Sequence, residues 1–371
     1  MIKRNLLRAG FIAALYLYCA CVNAAQVNVH IDNPPASGRV ALVLFDSANS
    51  FGVLRYPFMV VKYSLDGRDN YIIEDVPPGE YALLVYYDEN GNNRIDRNFI
   101  GIPNEPLGFS NRYRPKGPPA YERAAFQLKQ DEYRSFDVEL YRPLGKFGRI
   151  GVGVGMIVRS SPYRDYSGAV SQVIPAISYN GERLQIFGPR IQFGLAGTDK
   201  LRLAATGRYR IGVYDEDDSP YLQGMGDRSD TFMVGLGVQA DLPLGVKAAA
   251  IYEYDVTGNI GGSEARIGFD KPLQFGVFRF VPEIAFNWIS ADLSNYDFGV
   301  TQAQARTDRP AYALDDTYSV EAGFGLFVEI TRDWLVIMNV AAESLSDAVT
   351  ASPIVSEDYV IKGFAAINYV F

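Results

Sequence analysis

From Tyr318 to Ile330 every even position is apolar: Tyr318, Val320, Ala322, Phe324, Leu326, Val328 and Ile330. Ser319, Glu321, Gly323, Gly325, Glu329 and Thr331 alternate with them. A period of two predicts a strand with one apolar face. After a short turn at Thr331, Arg332 and Asp333 the pattern returns: Trp334, Val336, Met338, Val340 and Ala342 share one face, Asn339 and Glu343 the other. Both strands exceed the common length of about 5 to 6 residues. A tilted strand needs about 9 to 11 residues to cross a bilayer, so this hairpin has membrane dimensions.

The alternation recurs throughout residues 147–371. Ile150, Val152, Val154, Met156 and Val158 interleave with Arg149, Gly151, Gly153 and Gly155. Leu201, Leu203, Tyr209, Ile211 and Val213 oppose Arg202, Thr206, Arg208 and Arg210, while Phe232, Val234, Leu236, Val238 and Leu242 oppose Gln239 and Asp241. Ala248, Ala250, Tyr252 and Tyr254 oppose Lys247, Glu253 and Asp255. Further on, Ile267 and Phe269 oppose Arg266 and Asp270, and Ile284, Phe286 and Trp288 oppose Glu283 and Asn287. The apolar face of each strand carries no charge; the other mixes both signs. A water-soluble sheet with such a face needs a second layer, whereas a closed barrel in lipid explains every strand at once.

Connections alternate between short (242–245, 271–276, 331–333) and long (215–230, 291–317, 346–358), as periplasmic turns and external loops do. At residues 182–196 the apolar phase flips between Ile186 and Ile191 across Gly188-Pro189. One bulged strand there gives eleven strands and an external N-terminus. Two short strands give twelve and place both ends in the periplasm. Twelve is the expectation, with ten as the fallback. A lumen of that size is too narrow for residues 25–143 as an internal plug, so that segment is expected to hang in the periplasm.

Mean hydropathy is only −0.04 although aromatic residues make up 13 % of the 371 positions, as expected where lipid-facing and lumen-facing residues cancel. The first 24 residues read as a secretory signal: Lys3, Arg4 and Arg8, an apolar stretch from Phe11 to Cys21, then small residues at Val22 and Ala24. Cys19 and Cys21 are the only cysteines and leave with the signal, so the mature chain has no disulfide and no thiolate metal site. Tyr18 stands where a lipoprotein signal needs other residues, which argues against lipidation. Loss of three basic residues makes the formal charge of −8 still more negative, a poor balance for binding nucleic acid.

Residues 25–143 read as short strands at Val27–Ile31, Arg39–Phe45, Phe58–Tyr63, Tyr81–Tyr87 and Phe136–Leu140, separated by Asn33-Pro34-Pro35, Asp66-Gly67 and Pro77-Pro78-Gly79. A small β-sandwich is predicted. Its one chemical feature is an acidic and amide loop. Asp88, Asn90 and Asn92 occupy positions 1, 3 and 5 of a calcium loop, Arg94 offers a carbonyl at 7 and Asp96 stands at 9. Asn93 replaces the glycine of position 6 and Phe99 the bidentate glutamate of position 12, so a turn held by its own side chains is the alternative. His30, the only histidine, reads as an ordinary surface or packing residue.

The segments Val76-Pro77-Pro78-Gly79-Glu80-Tyr81, Asp88 to Asp96, Ile102 to Pro106 and Gly108 to Asn111 resemble a periplasmic family called domain of unknown function 2141. The resemblance implies a transthyretin-like or immunoglobulin-like fold and almost nothing about function. Residues 147–371 resemble the MipA/OmpV family. Pro175-Ala176-Ile177-Ser178-Tyr179, Gly181-Glu182-Arg183, Gly207-Arg208-Tyr209-Arg210 and especially Asp217 to Arg228 carry the likeness. A terminal Phe371 after Ile367 and Tyr369 resembles the assembly signal of outer-membrane barrels. The resemblance implies a Gram-negative outer-membrane protein in contact with lipid, and, from one member, a scaffold joining a lytic transglycosylase to a peptidoglycan synthase.

The reading is therefore an all-β chain: a signal at 1–24, a sandwich at 25–143 and a transmembrane antiparallel barrel at 144–371. No histidine follows His30, which excludes Ser-His and Asp-His catalysis in the barrel. Glu253, Asp255, Glu321 and Glu329 read as lumen charges facing Arg208, Arg210 or Arg266. A non-enzymatic scaffold is expected, with a porin-like channel as the alternative. The loop at 215–230 either offers an outer contact surface or folds over the mouth.

Overall fold

A computed structural model describes residues 25–371 apart from Ser167 and Asp199; the predicted signal at 1–24 lies outside the described residues. The first part holds two small sheets. Strands β1 (Ala25–Ile31), β2 (Arg39–Phe45), β3 (Met59–Ser64), β4 (Asn70–Val76), β5 (Gly79–Asp88), β6 (Leu107–Phe109), β7 (Ala125–Leu128) and β8 (Tyr133–Val138) run in chain order. One sheet is β4-β1-β8, with β1 and β8 parallel; the other is β3-β2-β5-β6, with β7 on β5. Val27, Val29, Leu42, Leu44, Leu83, Val85 and Phe136 form the core between them.

The runs Val40 to Phe45 and Tyr81 to Tyr86 are apolar throughout because β2 and β5 are buried on both faces. Ala41, Val43, Ala82, Leu84 and Tyr86 face a second core under helix α1 (Ala48–Val53), Tyr113 and helix α2 (Tyr121–Ala124). Val277, from the second part of the chain, packs on this second core. Ser47 caps α1 by accepting the Ser50 amide at 3.3 Å.

The second part is a closed antiparallel barrel of twelve wall strands. They are β9 (Arg149–Ser160), β10 (Ala169–Asn180), β11 (Leu184–Phe187), β12 (Arg190–Gly197), β13 (Leu201–Arg210), β14 (Thr231–Asp241), β15 (Lys247–Asp255), β16 (Ser263–Asp270), β18 (Phe278–Ile289), β19 (Thr317–Glu329), β20 (Trp334–Ser344) and β21 (Tyr359–Val370). A three-residue strand β17 (Leu273–Phe275) pairs with the foot of β18. β21 pairs with β9 and β16 with β18, which closes the ring. Residues 182–196 are indeed two short strands, with the tip of their hairpin at Gly188-Pro189.

The apolar phase faces outward: Val154 is 60 % exposed, Val173 70 % and Leu236 53 %, whereas Glu253, Glu321 and Glu343 are buried in the lumen. Two details differ from the sequence reading. β13 ends at Arg210, and Val213 turns into a loop core instead of extending the wall. The sequence pattern does not announce β4, whose alternation breaks at Glu74-Asp75, nor β6 and β7, which are only three and four residues long.

Candidate functional site

The two parts meet at the short-turn end of the barrel, and this contact has the chemistry of a seal. Tyr113 donates its hydroxyl to Glu329 at 2.6 Å and accepts the Ala120 amide at 3.0 Å. Burial raises the Tyr113 phenol far above its usual range, with the nearby Glu329 charge acting the same way, so it stays a donor. Lys116 bridges Asp333 at 2.8 Å and donates to the Val370 carbonyl at 2.7 Å, and the ammonium holds the Asp333 carboxyl below its ordinary value. Arg55 reaches Asp241 at 2.7 Å, a carboxylate it shares with Arg202. Asn98, buried, donates to the Gly181 carbonyl at 2.9 Å. The Arg279 guanidinium donates to the Gly52 carbonyl at 3.1 Å.

Above this seal the lumen is laced by charge. Arg208 joins Glu253 at 3.1 Å and also Glu264. Arg266 reaches Glu321 at 2.8 Å, and Lys362 bridges Glu321 and Glu343 at 2.7 and 2.6 Å. Ion pairs at this depth hold geometry more than they add stability. Of the pairings expected from sequence, Arg208 with Glu253 and Arg266 with Glu321 are present. Arg210 turns instead to Asp297 of helix α3 (Ala291–Phe298). Asp255 accepts from Thr257 and the amides of Ile260 and Gly261, and Glu329 belongs to the seal.

The far end is closed by a core that no strand pattern announces. Tyr163, Tyr214, Leu222, Met225, Phe298, Leu314 and Ile354 come from four loops and pack together. Arg309 is 1 % exposed and donates to the carbonyls of Gln304, Gln223 and Tyr221. The loop at 215–230 thus folds over the mouth. Between the two closures lies a chamber of about 1100 Å³.

The calcium-loop residues lie on the sandwich. Asp88 accepts the amides of Asn92 and Asn93 at 3.0 and 2.9 Å, Asn90 accepts Asn92 at 3.0 Å, and Asn92 accepts Arg94 at 3.0 Å. Asp96 binds the side-chain amides of Asn90 and Asn92. Glu105, which sequence spacing did not single out, accepts the amides of Glu89 and Asp96. Burial pushes its carboxyl up to about 7, helped by the charges of Asp96 and Asp88. The loop oxygens are thus largely engaged by their own backbone, and no group of three metal-ligating side chains is found among the described residues. Phe99 packs against Gly194 of the barrel, where an added Cβ would lie 2.7 Å from the ring. His30 sits on β1 near Asp32 and Asp69.

A closed barrel with an uncharged outer band and a charged lumen defines the class of outer-membrane β-barrels. Residues 152–371 match the family model described as MltA-interacting protein MipA, and the chain belongs to that family. Residues 29–135 match the model described as an uncharacterized protein conserved in bacteria, DUF2141. The outer membrane protein Omp26La of Vibrio anguillarum is 29 % identical over 48 % of this chain and 69 % of its own length. OmpV of Vibrio cholerae is 30 % identical, but the chain covers only 55 % of it. The MltA-interacting protein of Escherichia coli is 26 % identical over 61 % of this chain and 91 % of its own length. Among solved structures the NanC porin covers 60 % of this chain and 99 % of its own at 8 % identity and TM-score 0.28, too distant to carry detail.

Proposed function

We propose that this protein is a non-enzymatic anchor of the outer membrane. Its barrel holds residues 25–143 on the periplasmic side, where the sandwich recruits a murein-remodelling partner. The single observation that supports this reading is the sandwich seated across the barrel mouth through Tyr113, Lys116 and Arg55. A domain fixed in that way presents its far surface at a constant height above the membrane. That surface is the β4-β1-β8 sheet, whose edge strand β8 carries Tyr133 at 60 % exposure. Exposed aromatic side chains on an edge strand suit a protein partner. The name of the Escherichia coli relative, MltA-interacting protein, points to a lytic transglycosylase as the class of partner; the family resemblance adds a peptidoglycan synthase as a second component.

The test is a photocrosslinking amino acid at Tyr133 in intact cells. Adducts with a lytic transglycosylase or another envelope protein are expected. Crosslinks to nothing, or to external proteins only, would reject recruitment or the periplasmic placement respectively. The chamber favours a second reading, a channel for small solutes, and stable conductance steps from the purified wild-type chain would promote it.

A further inference from the structure

The barrel wall has a notch. β10 pairs with β9 along its whole length, but with β11 only through Ser178, Tyr179 and Asn180. The Gly188 amide donates to the Ile177 carbonyl, and there the β11–β12 hairpin turns back. On its other side the hairpin ends where the Tyr209 amide meets the Pro189 carbonyl. Above that tip, Ala169 to Ala176 have no strand partner toward β13 among the described residues. Across the top, the Ser219 hydroxyl donates to the Arg164 carbonyl and joins the two neighbouring loops. The opening has two sides, a sill and a lintel.

Because the Ile177 carbonyl points to the hairpin side, the main-chain groups of Pro175, Val173 and Ser171 point there too, following the two-residue repeat of a strand. Proline is tolerated in a sheet only where its missing donor faces no partner. Pro175 therefore removes the deepest free donor and excludes regular pairing with a further strand. The outward residues Ile177 and Val173 are 50 % and 70 % exposed, and Ile191 below is also open, so the notch begins inside the apolar band. Bare peptide groups are costly in hydrocarbon, and an occupant with acceptor oxygens would satisfy the amides of Val173 and Ser171.

Behind the notch the chamber is lined by Ile157, Phe187 and Phe364, the last two ring to ring at 5.9 Å, together with Arg159 and Arg190. Arg159 has a buried Nε without a hydrogen-bond partner, and neither arginine has a salt bridge among the described residues. An apolar shelf faces a gap in a lipid-exposed wall, and its two cations make no direct ion pair: Arg159 lies within Coulomb range of Asp297 and Glu343, and Arg190 of Glu253 and Glu264.

We infer that the notch is a lateral portal for an anionic amphiphile. The phosphate or carboxylate head lies on Arg159 and Arg190, and the acyl chain passes over Phe187 to the bilayer. It opens to the outer leaflet if the membrane orientation in the preceding section holds, and the lipid chemistry does not depend on the partner proposed there.

The test uses the full chain in nanodiscs with diazirine-tailed phosphatidylglycerol or diazirine-tailed phosphatidylcholine, mapping adducts by mass spectrometry. The anionic probe is expected on inward residues Ile157, Ile174 and Phe187; the zwitterionic probe is expected only on outward ones such as Val173 and Ile191. Arg159→Gln with Arg190→Gln should cut inward labelling by at least about ten-fold, with outward labelling unchanged. Heat-modifiable migration shows separately that the variant is folded. Palmitate added before irradiation should suppress formation of the inward adduct; suppression by inorganic phosphate but not by palmitate would reduce the site to an ion site and overturn the portal. Equal inward labelling by both probes, or none, also overturns it. So does an inter-copy disulfide in Ser171→Cys, which would place a second copy on the edge.

Discussion

Tyr113 and Glu329 are 216 residues apart in sequence and share one short hydrogen bond. Tyr113→Phe removes that bond and leaves the Ala120 amide without its acceptor, so the variant should lose about 1–3 kcal/mol of local stability. Hydrogen exchange at residues 113–124 would show it as faster opening, with the barrel strands unchanged. Glu105 sets a pH dependence. Its folded pKa of about 7 lies above the ordinary glutamate value of 4.5, so the folded state holds the extra proton across that window. The stability contributed by Glu105 is therefore fully present at and below about pH 4.5, is lost as pH rises toward 7, and does not change further above it. Melting followed at pH 5 and pH 8 should give the higher midpoint at pH 5, and Glu105→Gln should flatten the difference. Neither residue was legible as important: Tyr113 lies in an irregular segment, and Glu105 lies outside the loop whose spacing drew attention to Asp88, Asn90, Asn92, Arg94 and Asp96.

At the scale of elements, local pattern carried most of the information. The β19–β20 hairpin forms as its alternation predicts, with its turn at residues 330–333. The phase flip across Gly188-Pro189 marked two strands, although only the fold shows that the tip stops short of the neighbouring wall. The closing seam depends on bulk. Gly153 of β9 approaches Ile367 of β21 so closely that an added Cβ would sit 1.9 Å from its carbonyl oxygen. Gly153→Val should prevent the seam from closing, and the fraction of protein showing heat-modifiable migration should fall sharply. The apolar runs of β2 and β5 announced burial but not what would cover them, since a strand buried on both faces names neither neighbour.

For the whole molecule, two independent closures bound one chamber. The wild-type chain should give no stable conductance steps in a planar bilayer. Arg309→Ala removes donors to three carbonyls of the loop core, and Tyr113→Phe with Lys116→Ala weakens the opposite seal. Each lesion alone leaves the other closure in place, so steps are expected only when both are combined. Steps from the wild type would mean that the seals breathe on their own, and the channel reading would gain at the anchor's expense.

The chain by itself determined the barrel and its outward phase, and favoured twelve strands over eleven or ten, because a lipid-facing wall writes the same two-residue alternation into every crossing. Only the tertiary structure decided that the sandwich covers one mouth, that four loops share a core over the other, and that the wall stands open beside Pro175. Those features join residues far apart in sequence through single contacts, and a single contact has no period to read.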